Sequence, residues 1–278
     1  MMKRLTAWAG ELLRASPASC PACGKPCGGR AAAPPHDRRT ASMLNWLCAS
    51  CASAIPWIDR IVCDTCGRAV ACPDCARRAS AAFAKSRSAV RYDPLMRQWL
   101  ALYKYRGHER LRQPLAAMLF GAYERMTAEE QGQGGHLRVG AGRVRPGPWT
   151  AVTYVPVSKE REQERGFNQA QHLAEALAVR YRLPLYGLLT RVRHSGKQSL
   201  KTRRDRIRDM RTAFAIDRSE AGRLTKAATP GGGGRSAMRI LLVDDIYTTG
   251  GTVDACAARL TEATDGGARV CVLTWARS

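Results

Sequence analysis

The stretch Arg239-Ile-Leu-Leu-Val-Asp-Asp-Ile-Tyr-Thr-Thr-Gly-Gly-Thr252 constrains the fold of this chain more than any other. Four apolar residues, Ile240 to Val243, run without alternation. A short apolar run without period 2 reads as a strand buried on both faces, the habit of parallel sheets covered by helices. Two acids, Asp244 and Asp245, follow at its carboxyl end, where open α/β sheets place their ligand crevice. Paired carboxylates there accept hydrogen bonds from vicinal hydroxyls or help hold a hydrated magnesium ion. Thr248, Thr249, Gly250, Gly251 and Thr252 then form a loop of small residues before a helical pattern from Val253 to Ala263. Such a loop lets backbone N–H groups approach an anion, and the helix N-terminus adds a favourable dipole. The order reads as a sugar diol followed by a terminal phosphate. A plainer alternative, acids capping a turn and a Thr-Thr-Gly-Gly helix start, explains each feature singly but not their succession. No GxxxxGK[ST] nucleotide loop occurs in the chain.

With 278 residues, 45% of them apolar, the chain can bury a sizeable core in one large domain or two unequal ones. A change of composition near residue 90 sets the expected division: 1–90 a cysteine-rich module, 91–278 an α/β domain. Lys and Arg number 45 against 23 Asp and Glu, a formal net charge of +22. That imbalance points to a polyanionic partner such as nucleic acid. The alternative, the drift toward arginine and alanine of a high-GC genome, explains residue choice but not 45 bases against 23 acids. No run approaches the roughly 18 apolar residues of a membrane span, so membrane insertion is not expected. Leu5 to Leu13 reads as a short amphipathic helix, and Glu11 and Arg14 break the apolar stretch a secretory signal needs. The expected location is the cytoplasm, where thiols stay reduced and clustered cysteines serve as metal ligands.

Nine of the eleven cysteines fall between Cys20 and Cys75, eight of them as C-x-x-C pairs: Cys20/Cys23, Cys48/Cys51, Cys63/Cys66 and Cys72/Cys75. Each pair is a knuckle offering two thiolates, and two knuckles complete a tetrahedral four-cysteine zinc site. The simplest pairing by sequence joins Cys20/Cys23 with Cys48/Cys51 and Cys63/Cys66 with Cys72/Cys75, with an interleaved pairing as the alternative. Redox C-x-x-C chemistry would need a βαβ context that this segment lacks. Cys27 is a ninth thiol without a pair, and Cys256 and Cys271 read as core.

Pro94 suits the first turn of a helix from Leu95 to Tyr105, and a second helix spans Leu111 to about Met126. Between them, Tyr103-Lys104-Tyr105-Arg106-Gly107 reads either as a phosphate-and-base contact or as a helix end with cations and a glycine stop. Thr127 to Trp149 and Ser219 to Ser236 read as glycine-rich surface insertions, and Ala151 to Val157 as a buried strand. After that strand comes a basic loop, Ser158-Lys-Glu-Arg161 and Arg165-Gly-Phe-Asn-Gln169, leading into a helix from Ala170 to Arg180. Arg161 and Arg165 are candidates to meet a second phosphate group, the alternative being a polar connection with an Asn-Gln cap. Arg191 to Arg211 holds nine Lys or Arg against two Asp. It reads as a solvated face, a lid over a phosphate, or a strip for the DNA backbone. Short strands are expected at Thr212 to Ile216 and Val270 to Trp275.

The strand, acid pair and threonine-glycine loop resemble the binding signature of type I phosphoribosyltransferases. The whole chain resembles the ComF (ComFC) family, a double zinc ribbon ahead of a phosphoribosyltransferase-like parallel sheet with helices on both faces. The resemblance rests on the four C-x-x-C pairs, Lys104-Tyr-Arg-Gly107, Val155-Pro-Val157, Arg165-Gly-Phe-Asn-Gln169, Gln198 and Val243-Asp-Asp-Ile-Tyr-Thr-Thr-Gly-Gly-Thr252. It implies that Asp244 and Asp245 hold the ribose hydroxyls of phosphoribosyl pyrophosphate, that Thr248 to Thr252 hold its 5-phosphate, and that Arg161 and Arg165 lie near pyrophosphate. It also implies zinc and magnesium as cofactors and a role in DNA uptake during natural competence, beside other uptake proteins. Catalytic turnover is left open: a phosphoribosyl-sensing adaptor on single-stranded DNA, or a transferase with another acceptor outside competence, would use the same pocket. Glutamine amidotransfer is not expected, because no cysteine precedes Cys20.

Overall fold

The computed structural model describes residues 19–27, 44–77, 80–105, 108–132, 148–192, 212–228 and 238–278. The expected helix Leu5 to Leu13, Arg106 and Gly107, and the basic run from Arg193 to Arg211 lie outside them. In chain order the elements are α1 (Ala49–Ser53), α2 (Pro73–Ala76), β1 (Lys85–Arg91), α3 (Pro94–Tyr105), α4 (Arg112–Glu130) and β2 (Ala151–Tyr154). They continue with α5 (Lys159–Arg165), α6 (Gln169–Tyr181), β3 (Leu189–Arg191), β4 (Phe214–Ile216), α7 (Arg218–Ala228), β5 (Met238–Tyr247), α8 (Gly251–Glu262) and β6 (Ala268–Arg277).

Four strands form one parallel sheet in the order β1-β6-β5-β2. The apolar run expected as a central strand is one: β5 is flanked by β2 and β6. Its side chains divide between two cores. Leu241 and Val243 join Leu273, Trp275 and the helices α3, α4 and α6 on one face, while Ile240 and Leu242 join Val272 and the α8 residues Val253, Cys256 and Leu260 on the other. This α/β architecture explains the absence of alternation, because neither face of the run Ile240 to Val243 meets water. Cys256 and Cys271 are both buried core thiols. β3 and β4 pair as a separate antiparallel ribbon.

The cysteine-rich segment packs onto both faces of this sheet. Cys20, Leu44, Leu47 and Cys48 belong to the first core, Cys66, Cys72 and Phe83 to the second. The second contact is close: a Cβ at Gly67 would lie 2.6 Å from the carbonyl oxygen of Ser86 in β1. At φ +70° Gly67 also holds a backbone conformation that disfavours side chains.

Three expectations are corrected. The loop expected at Ser158 to Arg165 is mostly helix α5, capped by the Ser158 hydroxyl, which accepts from the Arg161 backbone N–H at 3.4 Å. The insertion expected from Thr127 begins later, because α4 continues to Glu130 and the buried Trp149 donates from Nε1 to Thr127 at 3.1 Å. The insertion expected from Ser219 opens as α7, because Asp217 accepts from the backbone N–H groups of Ser219 and Glu220 at 3.0 and 3.1 Å. The rest of that insertion, 229–236, lies outside the described residues.

Candidate functional site

The two acids stand just past the point where β2 stops pairing with β5, at the carboxyl end of the sheet. β2 stops at Tyr154, opposite Val243, whereas β6 continues beside Asp244, Ile246 and Tyr247. β5 therefore runs through both acids to Tyr247 instead of ending before them, paired with β6 and no longer with β2. Asp244 is 9% exposed and accepts from the Asp245 backbone N–H at 2.8 Å. Burial, then the charge of Asp245, pushes its carboxyl well above the usual carboxylate range. Asp245 forms an ion pair with Lys104 from the last turn of α3. Lys104 thus supplies the counter-charge that lets two adjacent carboxylates share the crevice, a role missing from the candidate residues because only the fold brings α3 to β5.

Beyond Tyr247 the chain turns through Thr248 and Thr249 to Gly250, which sits at φ +83° and serves as the N-cap of α8. No side chain caps this terminus, and the first-turn N–H groups of Gly251 and Thr252 have no intrahelical partner. The physical need for glycine at 250 is nearer than a ligand: an added Cβ would lie 2.2 Å from the Tyr247 hydroxyl. Tyr247 itself is buried, with the Arg277 guanidinium 4.5 Å from its ring centroid.

The Arg-Gly-Phe-Asn-Gln stretch and the Tyr-Lys-Tyr helix end pack on each other. Phe167 stacks on His172 at 4.7 Å, and the Tyr103 hydroxyl lies 2.7 Å from His172 Nδ1. Asn168 caps α6, accepting from Ala170 N–H at 3.0 Å and donating to the Val155 carbonyl at 3.0 Å. Arg165 donates to Gln169 Oε1 at 3.0 Å and to the Tyr105 hydroxyl at 2.9 Å, with its guanidinium 4.9 Å from the Tyr105 ring centroid. It is held as part of this frame. Tyr105 leaves 67% of its surface exposed.

Arg161, on α5, lies within electrostatic range of a further cation: Arg191, at the end of β3. Burial, then the Arg161 charge, lowers the Arg191 pKa, while Asp244 and Cys256 act on it in the opposite sense. The structure thus brings Arg161, Arg191 and Asp244 within electrostatic reach. The sequence placed Arg191 at the head of a basic run without distinguishing it. Its signal is the short strand that fixes its direction, with the guanidinium 5.5 Å from the Phe214 ring centroid across the β3-β4 ribbon.

The eight paired cysteines gather as Cys20, Cys23, Cys48 and Cys51, and as Cys63, Cys66, Cys72 and Cys75, with the Sγ atoms of each group within 4.8 Å of one another. This is the sequential pairing, not the interleaved one. Four thiol ligands at such spacing fit a tetrahedral zinc site. In the first group burial raises Cys48, but the Ser50 hydroxyl and the Cys51 N–H outweigh it and bring the thiol down to about 6. Burial and the neighbouring thiols push Cys51 the other way. A set of thiols that resists joint ionisation in this way suits a cation that neutralises it. Cys27 stands apart, its Sγ 3.7 Å from the Trp46 carbonyl. Among the described residues, no helix is long and apolar enough to cross a membrane.

No protein-family model matches the chain. Among curated proteins it is similar to Competence protein ComFC of Bacillus subtilis (strain 168), at 30% identity over 225 residues, covering 78% of each chain. Competence protein ComFC of Streptococcus pneumoniae is 26% identical over 221 residues, covering 78% of this chain and 82% of that one. Competence protein F of Haemophilus influenzae is 30% identical over 105 residues, covering 37% of this chain and 41% of that one.

Proposed function

Because the chain belongs to the ComFC family of competence proteins, we propose that it holds phosphoribosyl pyrophosphate in the β5 crevice and acts in DNA uptake during natural competence. The observation that carries this reading is the succession along β5 and α8: a carboxylate pair with Asp244 buried and Asp245 partly so, then an uncapped helix N-terminus behind a glycine held at positive φ. Asp244 and Asp245 accept the vicinal ribose hydroxyls, and the N–H groups of Gly251 and Thr252 meet the 5-phosphate. Arg161 and Arg191 face the pyrophosphate, while Arg165 holds the Tyr105 and Gln169 frame around it.

The donor set also fits magnesium, since Asp244 and Asp245 offer hard oxygen ligands beside a phosphate site. Bound there, the ion would neutralise part of the pyrophosphate charge. If transfer occurs, the C1–oxygen bond to pyrophosphate breaks and a bond from C1 to the acceptor's nucleophilic atom replaces it, with Asp244 and Asp245 stabilising the positive charge at the ribose and Arg161 and Arg191 balancing the negative charge of the departing pyrophosphate.

Equilibrium binding tests the reading. The protein should bind phosphoribosyl pyrophosphate with magnesium at one site, with ribose 5-phosphate and pyrophosphate each competing. Competition by pyrophosphate but not ribose 5-phosphate would refute the phosphate-loop assignment. Pyrophosphate release measured with varied acceptors then separates a transferase from a sensing adaptor.

A further inference from the structure

Arg277, next to last in the sequence and 4% exposed, is a buried cation for which no Asp or Glu side chain is a partner among the described residues. Its guanidinium reaches in two directions. Nη2 lies 3.6 Å from Cys66 Sγ, in the second cysteine group. Nη1 donates to the Thr248 carbonyl at 2.8 Å, to the Tyr247 carbonyl at 3.3 Å and to the Ser278 carbonyl. The guanidinium also lies 4.5 Å from the Tyr247 ring centroid, and that ring lies against Gly250, with Phe83 meeting it edge-on at 6.2 Å. A continuous contact chain therefore runs from Cys66 through Arg277 and Tyr247 to the turn that opens α8.

We propose that Arg277 is a positioning residue that braces the Thr248 to Thr252 loop against the second cysteine group, so that ion loading of that group sets how well the loop receives a phosphate. The proposal rests on the reading of this loop as the 5-phosphate site. The chemistry is a balance of charge. Four thiolates around one zinc ion carry a formal charge of about −2, and a guanidinium N–H donating to such a sulfur makes a charge-assisted hydrogen bond. With Cys66 as a zinc-bound thiolate, Arg277 has its counter-charge on the cluster side and keeps its other arm on the Thr248 carbonyl. With the cysteines protonated, the sulfur is a weak acceptor and that anchor loosens. Arg68 reinforces the same side, with Nη1 3.7 Å from Cys72 Sγ and Nη2 3.1 Å from the Ser278 carbonyl. The first cysteine group packs into the core on the other face of the sheet and serves as the internal control.

The test is amide hydrogen exchange at residues 248–252 on the zinc-loaded full chain, with ribose 5-phosphate binding by calorimetry as the second readout. Arg277→Gln, and Cys75→Ser, which disables the second group without touching Arg277, should each speed exchange in the loop by about tenfold and weaken ribose 5-phosphate by about tenfold. Arg277→Lys should recover part of both. Cys23→Ser, which disables the first group, should leave both unchanged. Coupling is reciprocal, so ribose 5-phosphate should also shift the thiolate-to-metal absorption of cobalt-substituted wild type, and not that of Arg277→Gln. Unchanged loop exchange in Cys75→Ser and Arg277→Gln, or equal acceleration in Cys23→Ser, overturns the proposal. A wild type that binds no ribose 5-phosphate removes the phosphate reading alone, because the exchange result still decides whether Arg277 joins cluster and loop.

Discussion

Asp244 sits where burial and a neighbouring carboxylate both oppose its charge, which raises its pKa. A magnesium ion coordinated beside it would reverse that balance, so binding of magnesium phosphoribosyl pyrophosphate should expel a proton from it. Calorimetry in two buffers of different ionisation enthalpy should report proton release that fades as pH rises through the raised pKa. Buffer-independent heats would mean Asp244 is already ionised or is not at the ligand. Gly250 carries a different lesson. A valine there meets the Tyr247 ring before any ligand, so Gly250→Val should lower the melting temperature as well as phosphate affinity. An unchanged melting temperature would contradict the packing. The acids and the glycine loop were legible because strand, acids and loop are consecutive in sequence. Lys104 and Arg191 were not, because their roles come from α3 and β3 being folded against β5, which no local pattern encodes.

At the scale of elements, β1 is the strand that pattern reading passed over. Lys85-Ser-Arg-Ser-Ala-Val-Arg91 opens with four polar residues in a row, yet all but its ends are buried beside β6. Its polarity is absorbed by specific partners: Ser88 bonds Thr274 at 2.6 Å, and Arg87 donates to Glu129 from Nη2 at 2.7 Å and from Nε at 2.9 Å. Beside it, Glu130 at the end of α4 pairs with Lys85 at 3.0 Å and Arg269 at 2.8 Å. The hydrogen bond from Arg269 comes first among the causes that hold the Glu130 carboxyl down to about 2, from an ordinary 4.5. A depressed carboxylate contributes stability above its unfolded pKa, and that contribution disappears as pH falls through the folded value. Glu130→Gln should therefore be less stable than wild type at neutral pH and lose less melting temperature between pH 4.5 and about 2. Parallel acid profiles for the two proteins would assign acid sensitivity elsewhere. The helices α5 and α7 were misread as loops for one reason: short caps, Ser158 and Asp217, start helices too polar to announce themselves by an apolar stripe.

Over the whole molecule, the cysteine groups and the sheet share cores instead of standing as separate beads. The protein should carry two zinc ions, one per group, and Cys48→Ser with Cys51→Ser should remove one and lower overall stability, since Cys48 is part of the first core. Elemental analysis of freshly reduced protein that finds no zinc contradicts both. The formal charge of +22 should give single-stranded DNA binding with little sequence preference and a steep loss of affinity with salt. Arg203, Arg204, Arg206 and Arg208 lie outside the described residues. Changing them together to Gln should flatten the salt slope, and an unchanged slope assigns DNA contact to other bases. The family relationship was legible because its motifs are contiguous; the division of the two cysteine groups between opposite faces of the sheet was not, because chain order carries no information about which face a knuckle meets. The most direct measurement of the central claim is calorimetric titration of phosphoribosyl pyrophosphate with magnesium into wild type and into Asp244→Asn/Asp245→Asn, without any acceptor. The account predicts one saturable site whose affinity falls by about one to two decades in the double variant, the worth of one lost charge-assisted hydrogen bond at roughly 1.5 to 3 kcal/mol. Wild type that shows no binding at millimolar donor, or a double variant that binds as tightly as wild type, would contradict it.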